Sequence, residues 1–490
     1  MTTIANLIAG RHVPAASGRT IQVHEPATGI PHALAPDSDA RDADAAVEAA
    51  RDAFPAWAAT PAAERSRLLL RLADLVETNL EPLARAESID TGKPIALARA
   101  VDIPRAAANL RFFATAVLHT AGETYDSDGG GVPGALPAIN YTLRRPRGPA
   151  GCISPWNLPL YLFTWKIAPA LATGNTVVAK PSEVTPSTAA MLGSLSVEAG
   201  LPPGVLNIVH GTGPSAGAPI VEHPAVPTIT FTGSTAVGRR LGETCGRMLK
   251  RVSLELGGKN PFILFDDADP DEAAGWAARA AFTNQGQICL CGSRLVVHES
   301  VADRVVSRLI GHARAFVIGD PLDPATTFGA ITSKAQLDKV TSMVDEARRL
   351  GGRVLTGGRP VDPAALPQRC RGGWFYEPTV IDGLDPACRV EQEEIFGPVV
   401  TVQRFRDEGH AVQLANATPY GLAASVFTRD VSRAHRVAAA LDVGIVWINT
   451  WMSRDLRTPF GGTKQSGVGR EGGTEALRFF TEPKNVCVRL

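Results

Sequence analysis

Between residues 177 and 231 short β-branched runs alternate with helical ones: strands at 177–180, 205–209 and 228–231, and helices at 186–199 and 215–222. Parallel strands need a long crossover, and a helix is its usual form, so this rhythm specifies a parallel, doubly wound α/β sheet. A second α/β run spans 259–460, with helices near 269–281, 299–316 and 333–351 and strands near 293–298, 399–405 and 443–449. A chain of 490 residues exceeds what one core can serve, so the fold class is α/β with two doubly wound domains.

The flanking segments read more simply. Residues 37–54, behind an acidic start, and 61–87, behind Pro61, space their apolar positions at helical period. Residues 102–116 form another helix, opening near Pro104 and setting Arg105 in its first turn. Thr185 before Pro186 predicts an N-cap. The Gly- and Pro-rich stretch 125–138 marks a crossing between lobes, 141–145 a short strand, and 357–374 a loop or insertion. Residues 485–490 alternate like an edge strand that a second subunit could pair with.

Lys+Arg and Asp+Glu balance at 49 each, which removes any electrostatic case for nucleic acid or an anionic membrane and leaves a small molecule as partner. Seven scattered cysteines form neither a disulfide framework nor a spaced zinc-ligand set, so a reducing cytoplasm and no metal are expected. The leading MTTIANLIAGRHVP lacks an export signal. The longest uncharged run, 148–165, carries three prolines and Asn157, which argue against a membrane span.

The reactive centre is placed at 282–294, FTNQGQICLCGSR, with Cys289 as nucleophile, because an amide-rich loop can cradle a thiolate. Asn157, after an apolar run, could donate to a developing oxyanion or satisfy the backbone. Glu255, beside two glycines, could be a general base or a loop acid. The spacing Gly211, Gly213, Gly217 departs from the usual dinucleotide fingerprint and fits a tight turn as well as a phosphate loop. Lys180 and Glu183 could hold an adenosine ribose or form a surface ion pair. Glu394 and Phe396 precede a Gly-Pro turn and could clamp a second ribose and a flat ring.

Together, in this order, SPWN at 154–157, AKPSE at 179–183, FTGS at 231–234, ELGGKN at 255–260, GQIC at 286–289, EEIFGP at 393–398 and PFGGTKQSGVGRE at 459–471 resemble the aldehyde dehydrogenase superfamily over essentially the whole chain. The resemblance implies that Cys289 attacks the aldehyde, that Asn157 and the Cys289 amide hold the oxyanion, and that Glu255 activates the water that hydrolyses the thioester. It implies NAD as cofactor, with Lys180, Ser182 and Glu183 at the adenosine end, Trp156, Gly213 and Ser234 near the pyrophosphate, and Glu394 with Phe396 at the nicotinamide ribose and ring. An anionic Glu183 disfavours NADP. The implied division is a cofactor domain at 1–122 and 147–256, a catalytic domain at 257–466 and an oligomerisation region at 123–146 and 467–490, in a dimer or tetramer.

Two departures from the common family pattern bear on substrate. Arg105 and Arg454 stand at tunnel positions often apolar or aromatic, Leu158 replaces a frequent aromatic, and Trp165 is kept. Guanidinium groups at the mouth of a buried tunnel call for an anion, so the substrate should carry a carboxylate. The strings SRDLRTPFGGTKQSGVGREGG, ISPWNLPLYLFTWKIAPA and GQICLCGSR resemble the branch that oxidises 2-aminomuconate and 2-hydroxymuconate semialdehydes to dicarboxylates. Another semialdehyde or an aromatic aldehyde, a cysteine hydrolase, and an inactive binding relative stay open as alternatives. Cys291 has two readings, a packing residue or a partner of Cys289 in an oxidative disulfide.

Overall fold

The structure, a computed structural model, describes residues 1–131, 133–134 and 136–490. Its first sheet centres on five parallel strands in the spatial order Arg251–Glu255, Thr228–Thr232, Ala150–Ile153, Val177–Lys180, Leu206–Ile208. The chain begins this set in the middle and builds outward both ways, so strand order reverses between Ala150–Ile153 and Thr228–Thr232. Connections leave such a reversal toward opposite faces, and the loops part to open a crevice beyond the carboxyl ends. Antiparallel strands Asn6–Ile8 and Arg11–Val13 extend one edge, and Gly467–Val468 pairs with Arg251–Glu255 at the other.

Residues 256–260 run directly into Pro261–Leu264, the first strand of a second sheet. That sheet orders Thr379–Asp382, Val399–Phe405, Arg294–His298, Pro261–Leu264, Ala423–Phe427 and Ile445–Ile448 in parallel, with Arg353–Thr356 antiparallel at one edge. The short crossing brings the carboxyl end of one sheet against the amino end of the other, and the candidate site lies there. A separate three-stranded sheet pairs Thr481–Arg489 along the whole of Ala138–Pro146, with Thr124–Ser127 on its far side. Arg251 ties it to the first sheet by donating to the Thr481 carbonyl at 2.7 Å and the Glu482 carboxylate at 3.0 Å.

Several sequence expectations need correction. The helix expected over 61–87 is two, Ala62–Thr78 and Leu80–Thr91, because the Asn79 side chain donates back to the Leu75 carbonyl at 2.8 Å and ends the first. The helix bearing Arg105 starts before Pro104: Ile95–Leu97 leads through a π-turn, Ala98–Asp102, into Ile103–Ala116. The wider turn lets the Ile103 N–H reach back five residues to Ala98, and the ladder thereby absorbs a proline with no N–H. Thr185 is not a cap. Helix Ser187–Glu198 is capped from outside by Asp90, which accepts from the Ser187 amide and hydroxyl at 2.8 Å each. Of the stretch 125–138, Val132 and Ala135 lie outside the described residues, and strands take up both its ends. The run 148–165 divides between strand Ala150–Ile153 and the buried helix Pro159–Ala172. Among the described residues no helix is long and apolar enough to cross a membrane.

Candidate active site

The crevice at the strand reversal is a cleft of about 160 Å³ whose lining includes Trp156, Asn157, Ser234, Cys289, Glu394 and Phe396. Trp156 and Phe396 meet edge to face, 5.2 Å between centroids, and form two of its walls. Cys289 and Asn157 therefore open on one cavity although 132 residues separate them.

Asn157 follows the end of strand Ala150–Ile153 and is almost fully buried. Its Nδ2 donates to the Gln287 carbonyl at 2.9 Å, and its own carbonyl accepts from Asn284 Nδ2 at 3.1 Å. One N–H orients the amide and the other stays available, so the two sequence readings of Asn157 coexist. The Cys289 loop turns through three successive left-handed residues, Asn284, Gln285 and Gly286. A Cβ at Gly286 would overlap the Gly397 carbonyl oxygen, so the position needs glycine for space as well as for φ. Asn260 Nδ2 then holds the Cys289 and Cys291 carbonyls at 2.7 and 2.9 Å, and the Trp451 indole holds that of Leu290 at 2.8 Å. Among the described residues no carbonyl or side chain accepts from the Cys289 amide, which leaves it as a second donor beside Asn157.

The thiol itself departs from expectation. Burial, then the facing charges of Glu394 and Glu255, push the Cys289 pKa up, so the resting group is a thiol and not a thiolate. Cys291 is buried in the main core, and burial pushes it up to about 12, as suits a packing residue.

Glu255 ends its strand with both carboxyl oxygens buried and without hydrogen-bond partners. Gly461, at φ 148°, lets that carboxyl lie so close that a Cβ would stand 2.6 Å from Oε1. Burial and then the neighbouring Glu471 raise the Glu255 pKa well above the carboxylate range, opposed by Lys166. Lys166 donates to Glu471 at 2.8 Å and to Thr230 at 3.0 Å, and Thr230 donates to Glu471 at 3.0 Å. The sequence reading missed this pair, although a lysine closing an otherwise uncharged run was a visible sign.

Glu394 rests against Gly257 and Gly258, accepting the Gly258 N–H at 2.9 Å, and burial raises it to about 7. Gln336 and Lys339, also missed, hold the carbonyls of Phe396 and Glu394 at 2.7 and 2.8 Å and line the same cleft. At the carboxyl end of the neighbouring strand Val177–Lys180, Lys180, buried, meets Glu183 at 2.9 Å, with Ser182 buried between them. The space where a Gly213 side chain would stand is open.

Arg105 and Arg454, 349 positions apart, come together over shared aromatics. Arg105 lies 5.2 Å from the Tyr161 ring centroid and 5.7 Å from that of Trp165, and Arg454 lies 5.2 Å from Trp165 and 3.9 Å from Phe460. Their hydrogen-bond acceptors are neutral: Asn109 Oδ1 for Arg105 at 3.1 Å, and the Tyr161 hydroxyl for Arg454 at 2.8 Å. The nearby Asp455 is engaged by Arg457 at 2.6 Å. Burial, with the like charge of Arg454 adding to it, holds the Arg105 pKa below its ordinary value, and Arg105 Nη2 is buried with no partner. Leu158 and Trp165 are buried in the main core, and Trp165 is the ring that both guanidinium groups meet.

A doubly wound sheet that carries an amide donor and a buried carboxyl at its carboxyl ends, and meets there a thiol from a second α/β sheet, has the architecture of an α/β oxidoreductase. The chain belongs to the aldehyde dehydrogenase family, whose profile residues 12–486 match. It is 50% identical over 486 residues to 2-aminomuconic semialdehyde dehydrogenase of Danio rerio, covering 99% of this chain and 98% of that one. It is 47% identical over 492 residues to 2-hydroxymuconic semialdehyde dehydrogenase of Pseudomonas sp. (strain CF600), covering both chains fully. The structure of PnpE, from Pseudomonas sp. WBC-3, in complex with nicotinamide adenine dinucleotide superposes with a TM-score of 0.95 at 44% identity, covering 99% of this chain and 97% of that one.

Proposed function

We propose that this protein is an NAD-dependent aldehyde dehydrogenase that oxidises a semialdehyde acid, 2-aminomuconate or 2-hydroxymuconate 6-semialdehyde, to the dicarboxylate. The observation that carries the substrate class is the pair of half-buried guanidinium groups with neutral partners only. Two close cations with no hydrogen-bonded counterion among the described residues, the nearby Asp455 being held by Arg457, are unfavourable in a low-dielectric pocket, and a carboxylate relieves both at once through bidentate hydrogen bonds. The names of the two relatives agree with that chemistry.

The cleft suits the nicotinamide end of a dinucleotide: it lies at the strand reversal, is walled by Trp156 and Phe396, and includes the buried Thr232 hydroxyl, unpartnered among the described residues. Lys180, Ser182 and Glu183 would hold the adenosine end, Trp156, Gly213 and Ser234 the pyrophosphate, and Glu394 with Phe396 the nicotinamide ribose and ring. When bound, NAD supplies the acceptor for the hydride that the substrate carbon loses.

The residues of the chain do the rest. Cys289 gives its proton to solvent water as Sγ adds to the aldehyde carbon, and the oxygen, now negative, lies between Asn157 Nδ2 and the Cys289 amide. Loss of hydride leaves a thioester. Glu255, in its charged form, takes a proton from water as that water attacks the thioester, giving the acid and the free thiol. Lys166 and Glu471 tune Glu255 through their charges. Residues 1–122 with 147–256 form the cofactor domain and 257–466 the catalytic domain. Residues 123–146 with 467–490 join copies of the chain into a dimer or tetramer in the cytoplasm.

The test is a panel of muconate semialdehydes and uncharged aldehydes with NAD and NADP, followed by reduced-cofactor absorbance. Arg105→Ala and Arg454→Ala should each raise KM for the semialdehyde acid about ten- to a thousandfold, equivalent to about 1.5–4 kcal/mol of lost charged hydrogen bonding. Unchanged KM in both would remove the substrate assignment and leave the dehydrogenase assignment intact.

A further inference from the structure

We infer that Asn109 is a positioning residue that aims Arg105 at the substrate's distal carboxylate. Asn109 is fully buried on helix Ile103–Ala116, one turn after Arg105, so the two side chains stand on the same face. Its carboxamide is used from both ends. The Nδ2 atom donates to the Tyr161 carbonyl at 3.0 Å and to the Thr164 hydroxyl at 3.1 Å, which fixes the amide against helix Pro159–Ala172. With both N–H groups committed, Oδ1 must face Arg105, and it accepts from Nε at 3.1 Å.

The choice of atom matters. A guanidinium held by Nε alone keeps both terminal nitrogens for a ligand, and Arg105 Nη2 is buried without a partner. A neutral acceptor orients the group without cancelling its charge, whereas a carboxylate at the same place would orient and neutralise it. Thr164 secures the amide in turn: its hydroxyl donates to the Leu160 and Tyr161 carbonyls at 3.0 Å each, so it can only accept from Asn109. Helix Pro159–Ala172 also supplies Tyr161 and Trp165, the rings beneath the guanidinium. Asn109 thus locks the cation to the helix that carries its aromatic platform. Without that lock the four-bond side chain regains rotamers that no longer present both terminal nitrogens to a planar carboxylate, and the cost falls on binding and not on the reacting carbon.

The inference rests on the semialdehyde-acid reading, and its test separates the two. Asn109→Ala, Asn109→Asp, Arg105→Ala and Asn109→Ala/Arg105→Ala are compared on the muconate semialdehyde and on an uncharged aldehyde of matched length. The ratio of the two kcat/KM values does not depend on how much of a preparation is folded. Muconate, the unreactive dicarboxylate, serves as a binding probe by calorimetry.

Asn109→Ala should raise KM for the acid and Kd for muconate about five- to thirtyfold, with kcat and the uncharged aldehyde changed by less than about twofold. In the Arg105→Ala background the same change should add less than about twofold, since the two act as one unit. Asn109→Asp, isosteric but charged, should lose acid preference at least as far as the alanine variant. Equal losses on both aldehydes, or an undiminished effect in the Arg105→Ala background, would overturn the role of Asn109 alone. If Arg105→Ala leaves KM and Kd unchanged, the substrate reading fails and the inference with it.

Discussion

Lys93 lies in a buried charge cluster directly beneath the substrate-side helices, and replacing it with methionine gives a stability change whose size and pH dependence follow from the geometry. Its Nζ meets Asp102 at 2.6 Å and Glu87 at 3.5 Å, and all three side chains are 0% exposed. Glu87 also accepts from the Leu160 amide at 3.4 Å and the Thr188 hydroxyl at 3.0 Å, while Glu87 Oε1 and Asp102 Oδ1 lack hydrogen bonds. Two carboxyls thus share one cation. Burial raises Glu87 from 4.5 to about 7, with Lys93 opposing, and burial raises Asp102 likewise.

Methionine removes the cation and keeps the volume, which for a broken buried pair costs about 3–5 kcal/mol. If the whole chain unfolds together, at about 2.1 cal/mol/K per residue, each kcal/mol lowers the midpoint by about 1 °C, so a drop of about 3–5 °C is expected. The sign with pH follows from the raised carboxyls. Between the unfolded value and the folded one the native protein holds a proton that the unfolded chain lacks, so stability falls as pH rises through that window. Without Lys93 the window extends upward, and the deficit should be larger near about pH 8 than near about pH 6, by about 1.4 kcal/mol per pH unit for each carboxyl that titrates. Thermal unfolding of variant and parent at both pH values checks this, with Glu87→Gln added to the variant as a rescue. Equal midpoints at both pH values, or a larger loss on the acid side, would refute the reasoning.

Glu255→Gln should keep a first-turnover burst of reduced cofactor and lose steady-state turnover about 10²–10⁴-fold, as rapid mixing would show. In the parent the raised Glu255 and Cys289 both gain their reactive, deprotonated forms as pH rises, so kcat should climb from the acid to the alkaline side; a flat profile contradicts the assignment. Glu183→Gln removes the carboxylate that Lys180 meets and should lower the preference for NAD over NADP about tenfold or more, read as the ratio of kcat/KM for the two cofactors. Gly286→Ala forces a Cβ into the Gly397 carbonyl at a positive φ, so it should abolish activity and lower the thermal midpoint; a fully active variant would show that the Cys289 loop is not packed as described.

How far the chain could be read without coordinates differs by kind of information. Local pattern carried both doubly wound sheets, because hydrophobic period and turn residues are properties of a few consecutive positions. Motif spacing named Cys289, Glu255, Asn157 and the cofactor-side residues as candidates, and the fold gathers Cys289, Asn157, Trp156, Ser234, Glu394 and Phe396 around one cleft. Local pattern misplaced what a distant partner decides: Asp90 caps the helix assigned to Thr185, and a π-turn carries the chain through Pro104 as one helix. The thiol state of Cys289 was not legible either, since a pKa is set by burial and by charges that arrive from elsewhere in the fold, here Glu394 and Glu255.

The sequence by itself determined the two doubly wound sheets and the unusual pair of arginines, and it named the candidate chemistry-bearing side chains, because each is written in residue identity and short-range spacing. Only the tertiary structure decided that Arg105 and Arg454 share one aromatic platform and donate only to neutral acceptors among the described residues, Asn109 for one and Tyr161 for the other, and that Lys166 and Glu471 stand behind Glu255. Apart from Arg105 and Asn109, one helical turn apart, those relations join residues tens to hundreds of positions apart, and no local rule of the chain contains a distance of that kind.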